Sequence, residues 1–355
     1  MPELTLANIV QILFVFLGIL GSTLLFEKRR FKGVILLLAY FSLLMAFNLL
    51  EELNLSKPYL FITPSFTLLL GPILYLMAYS LVEAKQIPFS RLILHGIPSV
   101  LSIPFTKYTE FVVAFGAISQ LAYLFASYRL LHRYNLAVFN SRSDAEALEL
   151  SWVARASSAI FLFLVVDMVR LNIRPLLGNE VYYNWYLFDL NILLLICCYL
   201  LVKSVKQPEV FDGLKAYERN QEAGDSANNL TSMSNEDEDR QLSEQLFELI
   251  DRHIQSSQLY KTPKLSLQQV ADELGLAVKQ TSWAINKVSG KNFNDYINAL
   301  RIELVKQQLK AKSGSSSNIL DIALECGFNS KSTFNLAFKK SESMTPTQYV
   351  SEIRC

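Results

Sequence analysis

The first 205 residues of this 355-residue chain consist largely of apolar runs long enough to cross a lipid bilayer. A run of about 18 or more apolar residues predicts a transmembrane helix, because about 20 helical residues span the hydrocarbon core. The fourth run is the weakest, since it is short and contains Pro98 and Pro104. The runs predict seven spans, at residues 5–26, 33–50, 59–82, 90–106, 110–131, 152–173 and 183–203.

Basic residues beside these spans predict their orientation, because Lys and Arg accumulate on the cytoplasmic side. Alternate connecting segments, together with the tail after the seventh span, carry 12 basic residues, and the opposite segments carry four. We therefore expect a multi-pass protein of the inner (cytoplasmic) membrane, with the N-terminus outside and the C-terminal part in the cytoplasm. The basic residues of the first span follow its apolar stretch, which predicts an anchor and not a cleaved signal peptide.

The formal net charge of +1 is the sum of three unlike regions. Residues 1–205 have a net charge of +3, residues 206–239 of −6 and residues 240–355 of +4. The middle region is rich in small, polar and acidic residues, which predicts a flexible linker. These differences exclude a single soluble domain. They predict a transmembrane sensor and anchor region at 1–205, an acidic linker at 206–239 and a soluble domain at 240–355.

Ionisable residues within predicted spans are energetically costly, and therefore they are candidates for a function. Four polar side chains lie toward the outer ends of the sixth and seventh spans, and two interpretations of them stay open. They line a ligand pocket, or the carboxylates pair with nearby basic residues such as Arg170 while the aromatic residues form an interfacial belt. The candidate sensing residues are Asp167, Tyr186, Asp189 and Asn191.

The C-terminal region has the periodicity of amphipathic helices. Ser266 is a plausible N-cap for a helix that ends at Gly275, and a second helix follows this glycine. The same order recurs around Gly327, and a helix, a short glycine-containing turn and a second helix make a helix-turn-helix unit. The predicted helices are 241–255, 266–274, 278–289, 293–312, 318–326 and 330–341. We therefore predict an all-α chain, in which a seven-helix transmembrane bundle precedes a soluble all-helical domain with two helix-turn-helix units joined by a long helix.

Two motifs in this region are long and specific. The first unit ends in Gly290-Lys291-Asn292-Phe293-(x)₂-Tyr296-(x)₄-Arg301. The second reads Ile322-Ala323-(x)₃-Gly327-Phe328-Asn329-Ser330-Lys331-Ser332-Thr333-Phe334-Asn335-(x)₂-Phe338-Lys339-Lys340, followed by Thr345-Pro346-(x)₂-Tyr349. With these motifs, residues 245–353 resemble the DNA-binding domain of AraC-type (AraC/XylS) transcription regulators. The N-terminal region is similar, less specifically, to the seven-span regions fused to some of these regulators.

Three residues depart from the pattern of that family. Thr281 stands where a buried leucine is usual, Ser343 where a glycine precedes the Thr-Pro pair, and Val350 where arginine is common. These departures would weaken the packing or the phosphate contacts of a unit without removing the fold.

The resemblance implies that the second helix of each unit lies in a major groove of DNA. Asn and Gln can read adenine, whereas Lys can read guanine or hold a phosphate. We expect Phe334 in the core, and Trp283 has either a core role or a DNA-contacting role. The candidate DNA-binding residues are Lys279, Gln280, Ser282, Trp283, Asn286 and Lys287 in the first unit, and Ser330, Lys331, Ser332, Thr333, Asn335 and Lys339 in the second.

The expected function is that of a membrane-embedded one-component transcription regulator, which is not an enzyme. The implied partners are double-stranded DNA, the lipid bilayer, a second copy of the chain, RNA polymerase and an unidentified small-molecule or membrane signal. The four cysteines show no metal-ligand spacing, and no cofactor is implied. One alternative is a transporter or enzyme with a regulatory tail, although Asp167 and Asp189 lack His, Ser or Cys partners. The other is an adaptor whose helix-turn-helix units bind protein.

Overall fold

The computed structural model describes residues 4–56, 61–83, 89–207, 209–219, 236–311 and 318–354. Every regular element within these residues is a helix, which confirms the all-α prediction. The chain divides into two compact units. Unit one comprises Met1–Arg133 and Leu150–Val210, and unit two comprises Tyr134–Glu149 and Phe211–Cys355. Residues 208 and 220–235 of the predicted acidic linker lie outside the described residues.

Up to residue 207, the described residues contain eight α-helices. In chain order they are α1 (Leu6–Leu25), α2 (Lys32–Glu52), α3 (Phe66–Glu83), α4 (Phe89–Ser102), α5 (Thr109–Ser141), α6 (Ala145–Leu148), α7 (Ser151–Asn172) and α8 (Asn179–Lys206). In unit one, α1 packs against α2 and α8, α2 packs against α3, and α7 packs against α8. The long helix α5 begins in unit one, and its last residues belong to unit two together with α6.

Six helical segments in the described part of the chain are long and apolar enough to cross a membrane. They contain α1, α2, α3, α5, α7 and α8. The fourth predicted span differs, because it forms the 14-residue helix α4, followed by a 3₁₀ turn at Ile103–Phe105. A helix of that length measures about 21 Å, which is shorter than the hydrocarbon core of about 30 Å. The prolines that weakened this prediction are Pro98 within α4 and Pro104 within the 3₁₀ turn.

The outer faces of unit one are apolar. On α1, Phe16 is 62% exposed and Ile19 is 63% exposed. On α5, the exposed fractions of Phe111, Phe115 and Ile118 are 64–68%. Soluble proteins rarely expose continuous apolar surfaces of this kind. The surface of unit one therefore has the character expected of helices that contact lipid.

The C-terminal helices of unit two are α10 (Glu236–Ser256), α11 (Leu267–Leu274), α12 (Val278–Ser289), α13 (Phe293–Ala311), α14 (Ile319–Glu325), α15 (Lys331–Glu342) and α16 (Pro346–Arg354), and a short helix α9 at residues 214–219 precedes them. The six predicted helices of the C-terminal region are present in the predicted order, whereas α16, the short helix α9 within the predicted linker and the start of α10 at Glu236 were not predicted. Two hydrophobic cores share α13. Phe293 and Ile297 near its start belong to the core that contains α11 and α12. Val305 and Leu309 near its end belong to the core that contains α14 and α15.

The departure at Ser343 has a structural consequence, because this residue ends α15 in the left-handed conformation with φ at 58°. Left-handed backbone costs a non-glycine residue roughly 1–2 kcal/mol. We expect Ser343→Gly to raise the local free energy of unfolding of α15 and α16 by about 1 kcal/mol. Hydrogen exchange of the amides in these two helices measures it. The matched control Ser341→Gly lies at an exposed position within the helix and should lower that free energy by about 0.5 kcal/mol.

Candidate nucleic-acid interface

Side-chain caps and a glycine define the first helix-turn-helix unit. The Ser266 hydroxyl accepts a hydrogen bond from the Gln269 N–H at 3.2 Å, and the Gln269 side chain accepts one from the Ser266 N–H at 2.9 Å. This capping box begins α11, as predicted from Ser266. Gly275 ends the helix with φ at +64°, and α12 begins at Val278. The predicted turn at Gly275 is confirmed.

The second unit is built in the same way. Asn318 caps α14, and the Ser330 hydroxyl caps α15 by accepting a hydrogen bond from the Thr333 N–H at 3.1 Å. Between the two helices, Gly327 has a φ of +99°. Four aromatic rings of the second motif lie in series, with neighbouring centroids 5.3–5.6 Å apart: Phe328, Phe334, Phe338 and Tyr349. These motif residues therefore specify the core of the unit, and the core position predicted for Phe334 is confirmed.

The candidate residues on α12 divide by exposure. Gln280, Asn286 and Lys287 are exposed, whereas Lys279, Ser282 and Trp283 are half-buried. Trp283 packs against the first core, and Lys287 Nζ lies 5.1 Å from the centroid of its ring. The indole ring of Trp283 thus packs against the core and also contacts the Lys287 ammonium group. The family's usual leucine is replaced by Thr281, which is fully buried and donates a hydrogen bond to the Ala277 carbonyl at 3.1 Å.

Helix α15 presents a polar face with one apolar residue. Lys331, Ser332, Asn335 and Lys339 are exposed, and helical spacing places the last three on one side of the helix. Leu336 belongs to the same face, is 55% exposed and was missed by the sequence analysis. The sequence signal that could have found Leu336 is its position four residues after Ser332, which places both on one face of the helix. An apolar side chain on this face can contact a thymine methyl group.

Ser330 and Thr333, which were expected to contact DNA, have a different position in the structure. Thr333 is 2% exposed, and its hydroxyl lies 3.0 Å from the Ser330 hydroxyl. Both side chains therefore build the N-terminal cap of α15, and Thr333 in particular does not reach the surface. The spacing of Thr333 from Phe334 and Ala337, which are also buried, places it on the inward side of the helix.

Comparison with known proteins identifies this double unit. Residues 260–352 match the model of a family described as "Helix-turn-helix domain". Over 85 residues the chain is 35% identical to the melibiose operon regulatory protein of Escherichia coli and 28% identical to the HTH-type transcriptional activator RhaS of Mannheimia succiniciproducens. The C-terminal part of this chain is an AraC-type helix-turn-helix domain.

The match to these relatives is confined to the AraC-type domain. It covers 24% of this chain, 27% of the melibiose regulator and 31% of RhaS. The chain therefore spans less than a third of the length of the curated relatives it matches. No solved structure matches the chain significantly.

Arg301, the last residue of the first motif, is the largest fully buried side chain among the described residues of the AraC-type domain. Its Nε donates to the Tyr260 carbonyl at 2.6 Å, and its Nη2 donates to the Thr262 carbonyl at 2.9 Å. Its Nη1 donates to Asn298 Oδ1 at 3.1 Å. Burial lowers the pKa of the Arg301 guanidinium to about 10. The group therefore stays charged at neutral pH and joins α13 to the chain that precedes α11.

Three of the four candidate sensing residues of unit one share one polar network. Arg170 Nη2 lies 2.6 Å from Asp167 Oδ1, and Arg170 Nε lies 3.5 Å from Asp189 Oδ2. The Arg170 guanidinium also lies 5.0 Å from the centroid of the Tyr186 ring. The pairing of both carboxylates with arginine is the second of the two interpretations left open. Asn191 is not brought to this network, because it is exposed and bonds to the Leu187 carbonyl of its own helix.

The other half of this network joins Glu52 of α2 to two residues of α1 that the sequence analysis missed. The Tyr186 hydroxyl donates to Glu52 Oε1 at 2.6 Å. The same carboxylate accepts from Gln11 Nε2 at 3.0 Å and from Asn8 Nδ2 at 2.9 Å. Asn8 and Gln11 are buried on α1, three residues apart. Their spacing on one face of an otherwise apolar helix was the signal that could have found them.

Proposed function

We propose that this chain is a membrane-embedded one-component transcription regulator, whose AraC-type domain binds a specific DNA sequence under the control of a signal sensed by unit one. The observation that carries the proposal is the pair of exposed, lysine-bearing polar faces on α12 and α15. Each face lies on the second helix of a helix-turn-helix unit, the helix that enters the major groove in such units. The matched relatives are named as a transcriptional activator and an operon regulatory protein, which supports this proposal.

DNA recognition follows from the chemistry of these faces. Asn335 on α15 and Gln280 and Asn286 on α12 can read adenine, and Leu336 can contact a thymine methyl. Lys331, like the other exposed lysines, can read guanine or hold phosphate. Because α13 belongs to both cores, it sets the distance between the two faces. Successive major grooves on one side of DNA are about 34 Å apart, and the domain would therefore cover two adjacent turns of an asymmetric site.

The exposed apolar faces of unit one support its place in a bilayer. The predicted orientation has the N-terminus outside and the AraC-type domain in the cytoplasm, and it needs an odd number of crossings. This orientation requires the segment Phe89–Phe105, which is α4 with the following 3₁₀ turn, to act as a seventh crossing at the lower limit of length for a span. Flotation of the full chain with liposomes tests the embedding, since a chain that sediments without lipid contradicts it.

The polar network of unit one is the proposed site of sensing. Arg170 is 4% exposed, and its Nη1 has no hydrogen-bond partner among the described residues. A buried guanidinium nitrogen without a partner is costly, and a ligand that carries a hydrogen-bond acceptor would satisfy it. Asp167, Asp189 and Tyr186, which hold Arg170, would then respond to the ligand. Such a signal can control DNA binding only if it binds two conformations of unit one unequally.

Dimerisation is part of the proposal. A net charge of +4 over residues 240–355 is modest for a DNA-binding region, and the adjacent residues 206–239 carry −6. Weak attraction to phosphate predicts weak binding by one copy, and a second copy would supply the missing affinity. Binding of the monomer at nanomolar affinity in physiological salt would contradict this step. Contact with RNA polymerase remains a further expectation for a regulator of this type.

We name α12 and α15, the second helices of the two units, the reading helices. The reading helix of the second unit, α15, supplies the test of DNA binding. The probe is a duplex selected from a random library by the full chain in nanodiscs. We expect the double variant Lys331→Ala, Asn335→Ala to bind this duplex at least about 30-fold more weakly, because each base contact contributes roughly 1–3 kcal/mol. Quantitative footprinting in the presence of competitor DNA measures the loss.

The matched control is Lys310→Ala, which removes an exposed lysine from α13. It should keep the footprint, and both variants should stay in the membrane fraction. An unchanged footprint in the double variant would contradict the assignment of α15. Failure to select any duplex would favour the protein-binding adaptor. Transport or catalysis that disappears in Asp167→Ala, Asp189→Ala would favour the membrane transporter or enzyme.

A further inference from the structure

Residues 142–149, which we name the brace, lie between two candidate membrane spans but pack within unit two. Helix α5 ends at Ser141 immediately before the brace, and α7 begins at Ser151 shortly after it. Ser143 is fully buried and Asp144 is 2% exposed. A segment expected to be a loop between spans is therefore part of the interior of the DNA-binding unit.

The brace first contacts the helix-turn-helix unit nearest to the linker. The Ser143 N–H donates to the Leu265 carbonyl at 3.0 Å, and Arg142 pairs with Ser266 in an isolated antiparallel bridge. Ser266 is the N-cap of α11. The brace thus extends the backbone hydrogen bonding of the residues that begin the first unit.

The brace next contacts α13, the helix shared by the two cores. Arg301 Nη1 donates to the Ser143 carbonyl at 3.3 Å, and Arg301 Nη2 donates to Ser143 Oγ at 3.1 Å. Asn294 Nδ2 donates to Glu146 Oε2 at 3.3 Å. The carboxylates of Asp144 and Glu146 favour the charged form of Arg301 and thereby oppose the effect of its burial on its pKa. The surface of α13 that contacts the brace is therefore complementary to it in both hydrogen bonding and charge.

The brace finally contacts the second helix-turn-helix unit. Asn329 Nδ2 donates to Asp144 Oδ2 at 3.3 Å, and Asn329 lies two residues before α15. Arg142 holds the Asp144 carboxylate from the other side, with Nε 2.9 Å from Oδ1 and Nη2 3.3 Å from Oδ2. The short helix α6 of the brace also packs against α15 itself. One short segment thus touches the start of the first unit, the joining helix and the second reading helix.

We propose that the seat formed by residues 265–266, α13 and Asn329 is a binding surface for the brace, and that the seated brace fixes the relative position of the two reading helices. The consequence is selectivity for the spacing between the two halves of a DNA site. This inference rests on the proposed function, because spacing has a meaning only if both helices read DNA.

The test compares two duplexes on the full chain in nanodiscs. One is the duplex selected by the unaltered chain, and the other carries one additional base pair between its two halves. The ratio of the two affinities measures spacing selectivity. We expect Asp144→Ala and Asn329→Ala each to lower this ratio about fivefold or more, the range of a typical coupling free energy. The double variant should lower it no further than Asp144→Ala alone, because that variant already removes the hydrogen bond made by Asn329.

Glu303→Ala is the control, since it removes from α13 an exposed carboxylate that does not contact the brace, and it should leave the ratio unchanged. Hydrogen exchange at the Ser143 amide reports whether the brace has left its seat. A ratio that keeps its original value after this amide has lost protection overturns the proposal. If the Ser143 amide stays protected in both variants, the hydrogen bond between Asp144 and Asn329 does not hold the brace in place, which overturns this part of the proposal.

A second variant covers the case in which Asp144→Ala does not fold. Ser143→Ala removes only the hydroxyl that accepts from Arg301 Nη2, and it should lower the ratio in the same direction. An unchanged ratio together with lost protection of the backbone amide at position 143 contradicts the proposal here as well. Failure of the unaltered chain to select any duplex would overturn the proposed function, and it is thereby distinguished from failure of the brace.

Discussion

Alanine at position 327 is expected to lower the free energy of unfolding of unit two by about 3 kcal/mol or more. A Cβ atom built on Gly327 lies 2.6 Å from the Tyr260 carbonyl oxygen and 2.8 Å from Lys261 Cα, which are backbone atoms that cannot rotate away. Its φ of +99° is also outside the range that alanine adopts without strain. Overpacking and backbone strain each contribute about 1–3 kcal/mol.

The equivalent turn of the first unit provides the matched control. Gly275 has a φ of +64°, and a Cβ added there meets no atom within 4 Å. Gly275→Ala should therefore show only the backbone penalty, about 1 kcal/mol. Chemical unfolding of the full chain in detergent, followed by hydrogen exchange in α11 and α15, measures both variants. Equal losses for the two variants would show that the close approach at Gly327 does not matter.

Removal of the buried charge at Arg301 is expected to have an effect at least as large. Arg301→Met leaves the carbonyls of Tyr260, Thr262 and Ser143 without their donor, at positions where the guanidinium is fully buried. Breaking a buried charged network of this type costs about 3–5 kcal/mol. Arg301→Lys should not restore stability, because one ammonium group cannot donate in the directions of Nε, Nη1 and Nη2 together.

The control for this prediction is Arg252→Met, because Arg252 is exposed on α10 and pairs with Glu248 of the same helix. Exposed pairs contribute less than about 1 kcal/mol, so this change should have little effect. Thermal unfolding of unit two, followed by near-ultraviolet circular dichroism of the full chain, measures the difference. A loss below about 1 kcal/mol for Arg301→Met would contradict the assigned hydrogen bonds.

The helix-turn-helix units were predictable because their signals are local. Ser266 and Gly275 delimit α11, and Ser330 and Gly327 flank the second turn. Caps and left-handed glycines act within a few residues of chain, so they can be read without knowledge of the tertiary fold. The apolar runs are equally local, and six of them form helices of spanning length in the described part of the chain.

The features that were not predictable depend on contacts between distant residues. Nothing near Ser143 indicates that it would bind Arg301, which is 158 residues away along the chain. The inward position of Thr333 could not be predicted from the sequence, because Thr333 directly follows Lys331 and Ser332, whose polar side chains are typical of a DNA-contacting face. The hydrogen bond from Tyr186 of α8 to Glu52 of α2 likewise depends on the packing of α1, α2 and α8.

The close approach of Gly327 to Tyr260 limits how this protein can be recombined with its relatives. The turn of the second unit lies against backbone that precedes α11, and Arg301 of α13 binds that same backbone. A chimera joined within α13 would place one parent's turn against another parent's chain. Exchange of the whole segment 236–354, with residues 142–149 taken from the same parent, would keep these surfaces matched. For an engineer of hybrid regulators, the smallest interchangeable part is thus discontinuous in sequence.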